Sequence, residues 1–86
     1  MDPNDVISYP LMTESASLMV ELDNKLMFIV NLKASKSDVK KAVEQLYEVE
    51  VDKVNVLITP QGEKKVFVKL KPEYKASDVA IKLGIL

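Results

Sequence analysis

The sequence predicts an α+β fold with the element order β-α-β-α-β-β-α, a small, mainly antiparallel sheet packed with helices. Three observations predict it. Residues 51–59 and 64–71 each alternate apolar and polar side chains and flank Pro60-Gln61-Gly62, the pattern of two strands joined by a turn. Val39, Ala42, Val43, Leu46 and Tyr47 recur at i, i+3, i+4, i+7 and i+8, one apolar stripe of an amphipathic helix. Strand-like and helix-like segments interleave ahead of the hairpin, which suits a sheet with helices packed on it rather than a bundle or a sandwich. A chain of 86 residues buries only about 60 to 65% of its unfolded surface and supports one core, so residues 1–86 are expected to form one domain.

Taken in order, Val6 to Tyr9 is a short apolar segment ended by Pro10, a brief first strand. Thr13 offers an N-cap oxygen and Glu14 a first-turn carboxylate, and Ala16, Leu18, Met19 and Leu22 follow, so a helix is expected over about residues 13–22. Asp23-Asn24 is turn chemistry, and residues 25–33, rich in β-branched and large apolar side chains, form a buried strand. Ser35 with Asp38 has the form of a capping box and opens the amphipathic helix, whose opposite face carries Lys36, Lys40, Lys41 and Glu44. In the hairpin Val54, Val56 and Ile58 oppose Lys53, Asn55 and Leu57, while Val66, Val68 and Leu70 point inward and Lys65, Phe67, Lys69 and Lys71 outward. After Pro72, Ser77 with Asp78 starts a last helix through Ile81 and Leu83, and Gly84 stops it.

Composition removes whole classes of function. The sequence has no His, Cys, Arg or Trp, so acid–base or covalent chemistry would have to rest on Lys, Asp, Glu, Ser or Tyr. No pair of these is arranged for it. Without Cys there is neither a disulfide framework nor a thiolate metal site, which fits a reducing compartment. Gly62 and Gly84 are isolated, so no glycine-rich phosphate loop exists. The start, MDPND, carries acids where a secretory signal needs a basic and then an apolar run, and no stretch approaches the ~20 apolar residues of a membrane span. A soluble cytoplasmic protein with no cofactor, no metal and no small-molecule substrate is the expectation.

Charge is distributed unevenly. The net charge is −1, but residues 1–23 hold Asp2, Asp5, Glu14, Glu21 and Asp23 with no Lys, while all 12 Lys fall in residues 24–86. The two parts are expected to face different partners. The outward side of the hairpin is expected to present Lys53, Asn55, Lys64, Lys65, Lys69 and Lys71 with Phe67 among them, a combination that suits RNA. Lysines neutralise phosphates and release counterions, an aromatic ring can stack an unpaired base, and an amide can hydrogen-bond a base or 2′-hydroxyl. Lys33, Lys36, Lys40 and Lys41 extend the positive surface to the start of the second helix. The bland alternatives are a solvated strand face and a Phe67 packed beneath the terminal helix.

At this point the chain resembles the universal large-subunit ribosomal protein twenty-three family. The resemblance runs through Pro10-Leu11-Met12-Thr13-Glu14, Asn24-Lys25 with Phe28 and Val30, residues 34–44 (ASKSDVKKAVE), Val49-Glu50-Val51, Val54-Asn55, Gly62-Glu63-Lys64-Lys65 and the ending LKPEYKASDVAIKLGIL. It implies this fold, a place at the exit of the nascent-peptide tunnel, contact with large-subunit ribosomal RNA and with ribosomal protein twenty-nine, and a platform for factors that meet the emerging chain, such as the signal recognition particle. The residues expected at RNA are Thr13, Lys25, Lys33, Lys36, Lys40, Asn55, Lys64, Lys65 and Lys69. Glu14 matches the family's factor-docking glutamate.

Three departures matter. Ser15 stands where the family usually has Lys, which removes a phosphate contact. The absence of Arg with a slightly negative net charge implies a weaker salt dependence than that of relatives. The turn 59–63 is far too short for the extended hairpin of bacterial members, and no basic N-terminal tail like that of eukaryotic members is seen, so the archaeal type fits best. Two other classes compete. A small regulatory or dimerising α+β ligand-binding domain has the same element order, and a minimal enzyme would need Lys25 or Lys65 desolvated as a nucleophile, which nothing in the sequence encloses.

Overall fold

The computed structural model describes residues 1–11 and 13–84. The elements are α1 (Pro3–Val6), β1 (Ile7–Pro10), α2 (Glu14–Asp23), β2 (Lys25–Val30), α3 (Lys36–Tyr47), β3 (Val51–Ile58), β4 (Lys64–Leu70) and α4 (Ala76–Leu83). The expected order holds with one addition, the single helical turn α1. Its signal was Asp2-Pro3: the Asp2 carboxylate accepts from the Asn4 N–H at 2.9 Å and Pro3 begins the turn, where proline loses no hydrogen bond. Val6, expected to start the first strand, instead ends this turn and is buried.

The four strands form an antiparallel sheet in the order β1-β2-β4-β3. Strand β2 stops at Val30 rather than near Lys33, because the Asn31 side-chain oxygen takes the Lys33 N–H at 2.9 Å and turns the chain. One face of the sheet presents Leu26, Phe28, Val66, Val68 and Leu70, all buried, and joins Val6, Val20, Val39, Val43, Val79 and Ala80 in the main core. Phe28 lies parallel to Tyr47 of α3 with ring centroids 5.9 Å apart. Each such side chain contributes about 1.5 to 3 kcal/mol on full burial, so this layer dominates stability. Ala16, Met27 and Ile29 are buried outside that cluster.

Three of the four described helix starts follow local chemistry, that of α1 through Asp2. The Thr13 hydroxyl accepts from the Ala16 N–H at 3.1 Å, and both arms of the Ser35–Asp38 capping box form. Gly84 closes α4 with a φ of 78°, its N–H reaching the carbonyls of Ala80 and Ile81. The start of α4 corrects the expectation: the helix begins at Ala76, not around Ser77, and Lys75 at the cap position makes no side-chain bond. The free Ala76 N–H is taken instead by the Asn24 side-chain oxygen at 2.7 Å. Within α3, Val39, Ala42 and Val43 are buried as the stripe requires, but Leu46 is 37% exposed. The buried line runs through 39, 43 and 47, four residues at a time, and leaves Leu46 at its margin. Glu44, on the polar face, accepts from the Val51 N–H at 3.0 Å and so ties α3 to the start of β3. No described helix is long and apolar enough to cross a membrane.

Candidate nucleic-acid interface

The pairing register sets the second face of the sheet row by row. Lys25, Lys69 and Lys53 form one row, Met27, Phe67 and Asn55 the next, and Ile29, Lys65 and Leu57 the third. Over β2 this face is closed, since Met27 and Ile29 are 5% and 6% exposed. Tyr9, which pairs with Ile29 across from β1, reaches over to Glu63 and donates its hydroxyl to the carboxylate at 2.8 Å. That hydrogen bond, with some desolvation and the nearby negative charge, raises the Tyr9 pKa above its ordinary value. Over β4 and β3 the same face is open: Lys53, Asn55, Leu57 and Lys69 are exposed, and Lys65 and Phe67 are half-buried. The Lys65 ammonium stands 5.7 Å from the centroid of the Phe67 ring, a cation–π contact.

Phe67 therefore belongs to the open face and not to the core beneath the terminal helix. Lys64 corrects the expected surface. It pairs with Val30 and Ile58, one residue from Lys65 and so on the opposite face, where its ammonium donates to the Ala34 carbonyl. That contact buttresses the loop leading into α3. Lys36 and Lys40, from the first turns of α3, line an open groove of about 180 Å³ with Ser37, Asp52 and Lys53. Lys53 thus belongs both to this groove and to the first row of the open face. Lys33 is exposed in the turn ahead of α3. Lys41 parts from this group, lining a separate groove with Asp38, Gln45 and the N-terminal residues Met1 and Pro3.

The polar candidates divide. Asn55 is exposed at the centre of the open face, paired with Phe67, and is neither a cap nor a turn residue. Thr13 is exposed and uses its hydroxyl oxygen to cap α2, which leaves the hydroxyl proton for another acceptor. Glu14 is exposed in the first turn of α2. Four residues apart along that helix follow Leu18 and Leu22, 49% and 77% exposed, so a carboxylate heads an apolar stripe turned to solvent. Among the described residues, no three acidic side chains gather to hold a metal ion. The residue that the sequence reading missed is Asn24, whose only local sign was turn chemistry.

Residues 5–84 match the model of the family described as Ribosomal protein L23. The chain is also 51% identical over 85 residues to the large ribosomal subunit protein uL23 of the archaeon Methanococcus aeolicus, covering 99% of each chain.

Proposed function

The chain belongs to the ribosomal protein L23 family, structural components of the large ribosomal subunit and not enzymes, and from that membership we propose that it binds large-subunit ribosomal RNA near the polypeptide tunnel exit. Residues 1–86 act as one RNA-binding domain that also helps form a docking platform for nascent-chain factors. The observation that carries the RNA reading is the open half of the sheet, where the register brings Lys69 and Lys53 into line with Lys25 of β2 and sets Lys65 two rows further along the same face. Lysines held by a rigid sheet meet phosphates without further ordering of the backbone. Lys36 and Lys40 continue that surface through Lys53, with Lys33 beside them. Lys64 serves it indirectly, holding the loop before α3 through the Ala34 carbonyl. Asn55 and Thr13 supply directional hydrogen bonds to base or sugar groups.

The acidic first 23 residues turn away from RNA. Glu14 with exposed Leu18 and Leu22 suits a partner that is basic and apolar, such as the signal recognition particle or another factor at the tunnel exit, and ribosomal protein twenty-nine is the expected protein neighbour. The test is a salt series of binding to deproteinised large-subunit ribosomal RNA. Lys65→Ala with Lys69→Ala is expected to weaken binding and flatten the log–log salt slope by up to about two, while Lys64→Ala lowers thermal stability and leaves the slope alone. A double variant with the parent slope would remove the open face from the interface.

A further inference from the structure

We infer that the open sheet face holds a site for one unpaired ribonucleotide, its base stacked on Phe67 and its edge read by Asn55, so that the RNA segment recognised here is a loop or bulge and not continuous duplex. The inference rests on the RNA-binding reading above and adds the class of RNA to it. Phe67 is a large aromatic ring, half-exposed at the centre of the open half and flanked on its closed side by buried Met27 of β2. Asn55 is its direct cross-strand partner, which sets the two Cβ atoms about 4.5 to 5.5 Å apart. A base lying on the ring therefore has its polar edge over the amide, which both donates and accepts.

The charges fit the same occupant. Lys65 and Lys69 lie two residues to either side of Phe67 along β4, about 7 Å away in each direction, where the phosphates flanking a stacked base must pass. In the free protein the Lys65 ammonium lies near the ring at 5.7 Å. Stacking replaces one π-contact of the ring with another, and Lys65 moves to the phosphate. A duplex cannot use this centre: its bases are stacked on one another, and only a base freed from the helix can present its face to an aromatic side chain. Without a nucleotide, Phe67 and Asn55 with Leu57 of the next row, the last 51% exposed, form an apolar and amide surface between lysines, its ring met by the Lys65 ammonium at the edge of the patch.

The test uses the whole chain and deproteinised large-subunit ribosomal RNA, with the parent, Phe67→Leu, Phe67→Trp and Asn55→Ala compared across a salt series and by thermal melting. Phe67→Leu is expected to bind roughly 5- to 150-fold more weakly with the parent's salt slope, because stacking releases no counterions. Phe67→Trp is expected to bind at least as tightly. Since the sequence has no other Trp, its emission reports the site directly and should be quenched by the ribosomal RNA but not by an RNA duplex without loops. Asn55→Ala should weaken binding with the slope again unchanged. The proposal is overturned if Phe67→Leu melts like the parent and binds like it, or if the Phe67→Trp emission is unmoved when binding is saturated. The second readout decides the matter even if Phe67→Leu fails to fold. Failure of the broader interface looks different: the parent itself would then show no salt-dependent binding, or the Lys65 and Lys69 double variant would keep the parent slope.

Discussion

Asn24 joins three parts of the chain through a single side chain. Its backbone is left-handed, with φ at 56°, a conformation Asn tolerates better than most residues. In that position its amide nitrogen donates to the carbonyls of Leu70 at 3.3 Å and Tyr74 at 2.9 Å, while its oxygen accepts from the Ala76 N–H. It thus ends α2, fixes the exit from β4 and caps α4. Asn24→Asp keeps the backbone preference and the acceptor but sets a carboxylate oxygen against two carbonyls. The expected cost is about 1 to 3 kcal/mol, a fall in melting temperature of several degrees per kcal/mol for a domain of this size. A thermal melt checks it, and an Asp variant that melts within a degree of the parent would show that these bonds matter little. The turn at Asn24 was legible from residue type. Its capping of α4 was not, because the partners lie 46 to 52 residues away and no local pattern encodes that proximity.

At the scale of elements, legibility follows the range of the interaction that decides each boundary. The Ser35–Asp38 box spans three residues, and both of its bonds form, Asp38 N–H to Ser35 Oγ at 3.1 Å and Ser35 N–H to Asp38 Oδ2 at 3.0 Å. The alternation of β4, and of β3 from Lys53 onward after a register shift beside Val51, likewise survives, since a one-residue slip would turn Val66 and Val68 outward. It also shows why Lys64 and Lys65 never shared a face. The strand order was not legible: β2 pairs β4 rather than β3 because packing of the helices, not periodicity, selects the neighbour. The capping box makes a pH prediction. Hydrogen bonds from the Ser35 backbone and side chain hold the Asp38 pKa below its ordinary value of 3.8. A lowered folded-state value means the contribution is complete above the unfolded pKa and is lost as pH falls through the folded one. Ser35→Ala should cost about 1 kcal/mol at neutral pH, and the difference from the parent should shrink as the pH is taken below about 4. Denaturant melts at pH 7 and pH 3 measure both; a gap that widens on acidification would contradict the assignment of Asp38 as an ionised cap.

For the whole molecule, a net charge of −1 conceals a separation between an acidic first 23 residues and a remainder that holds every lysine. On the proposed RNA-binding reading, RNA would orient such a molecule before contact: phosphates would attract the lysine-bearing face of the sheet and repel Asp2, Asp5, Glu14, Glu21 and Asp23. On the same reading the acidic residues would be left for proteins, and Glu14, exposed at the head of the Leu18 and Leu22 stripe, is the docking candidate. Two roles for its carboxylate lead to opposite expectations. As a partner for the α2 dipole it would matter to stability and to nothing else. As a docking charge it would matter to the rate at which a basic factor associates, with salt sensitivity to match. Glu14→Lys reverses the charge without touching the Thr13 cap, whose bond to the Ala16 N–H is made by another side chain. The expected result is normal incorporation into large subunits and unchanged affinity for ribosomal RNA, with association of the signal recognition particle slowed on the order of tenfold. Subunits carrying the variant, assayed for factor binding at low and moderate salt, give the measurement. If the variant melts at a lower temperature and yet recruits the factor at the parent's rate, the carboxylate serves the helix alone and docking lies elsewhere.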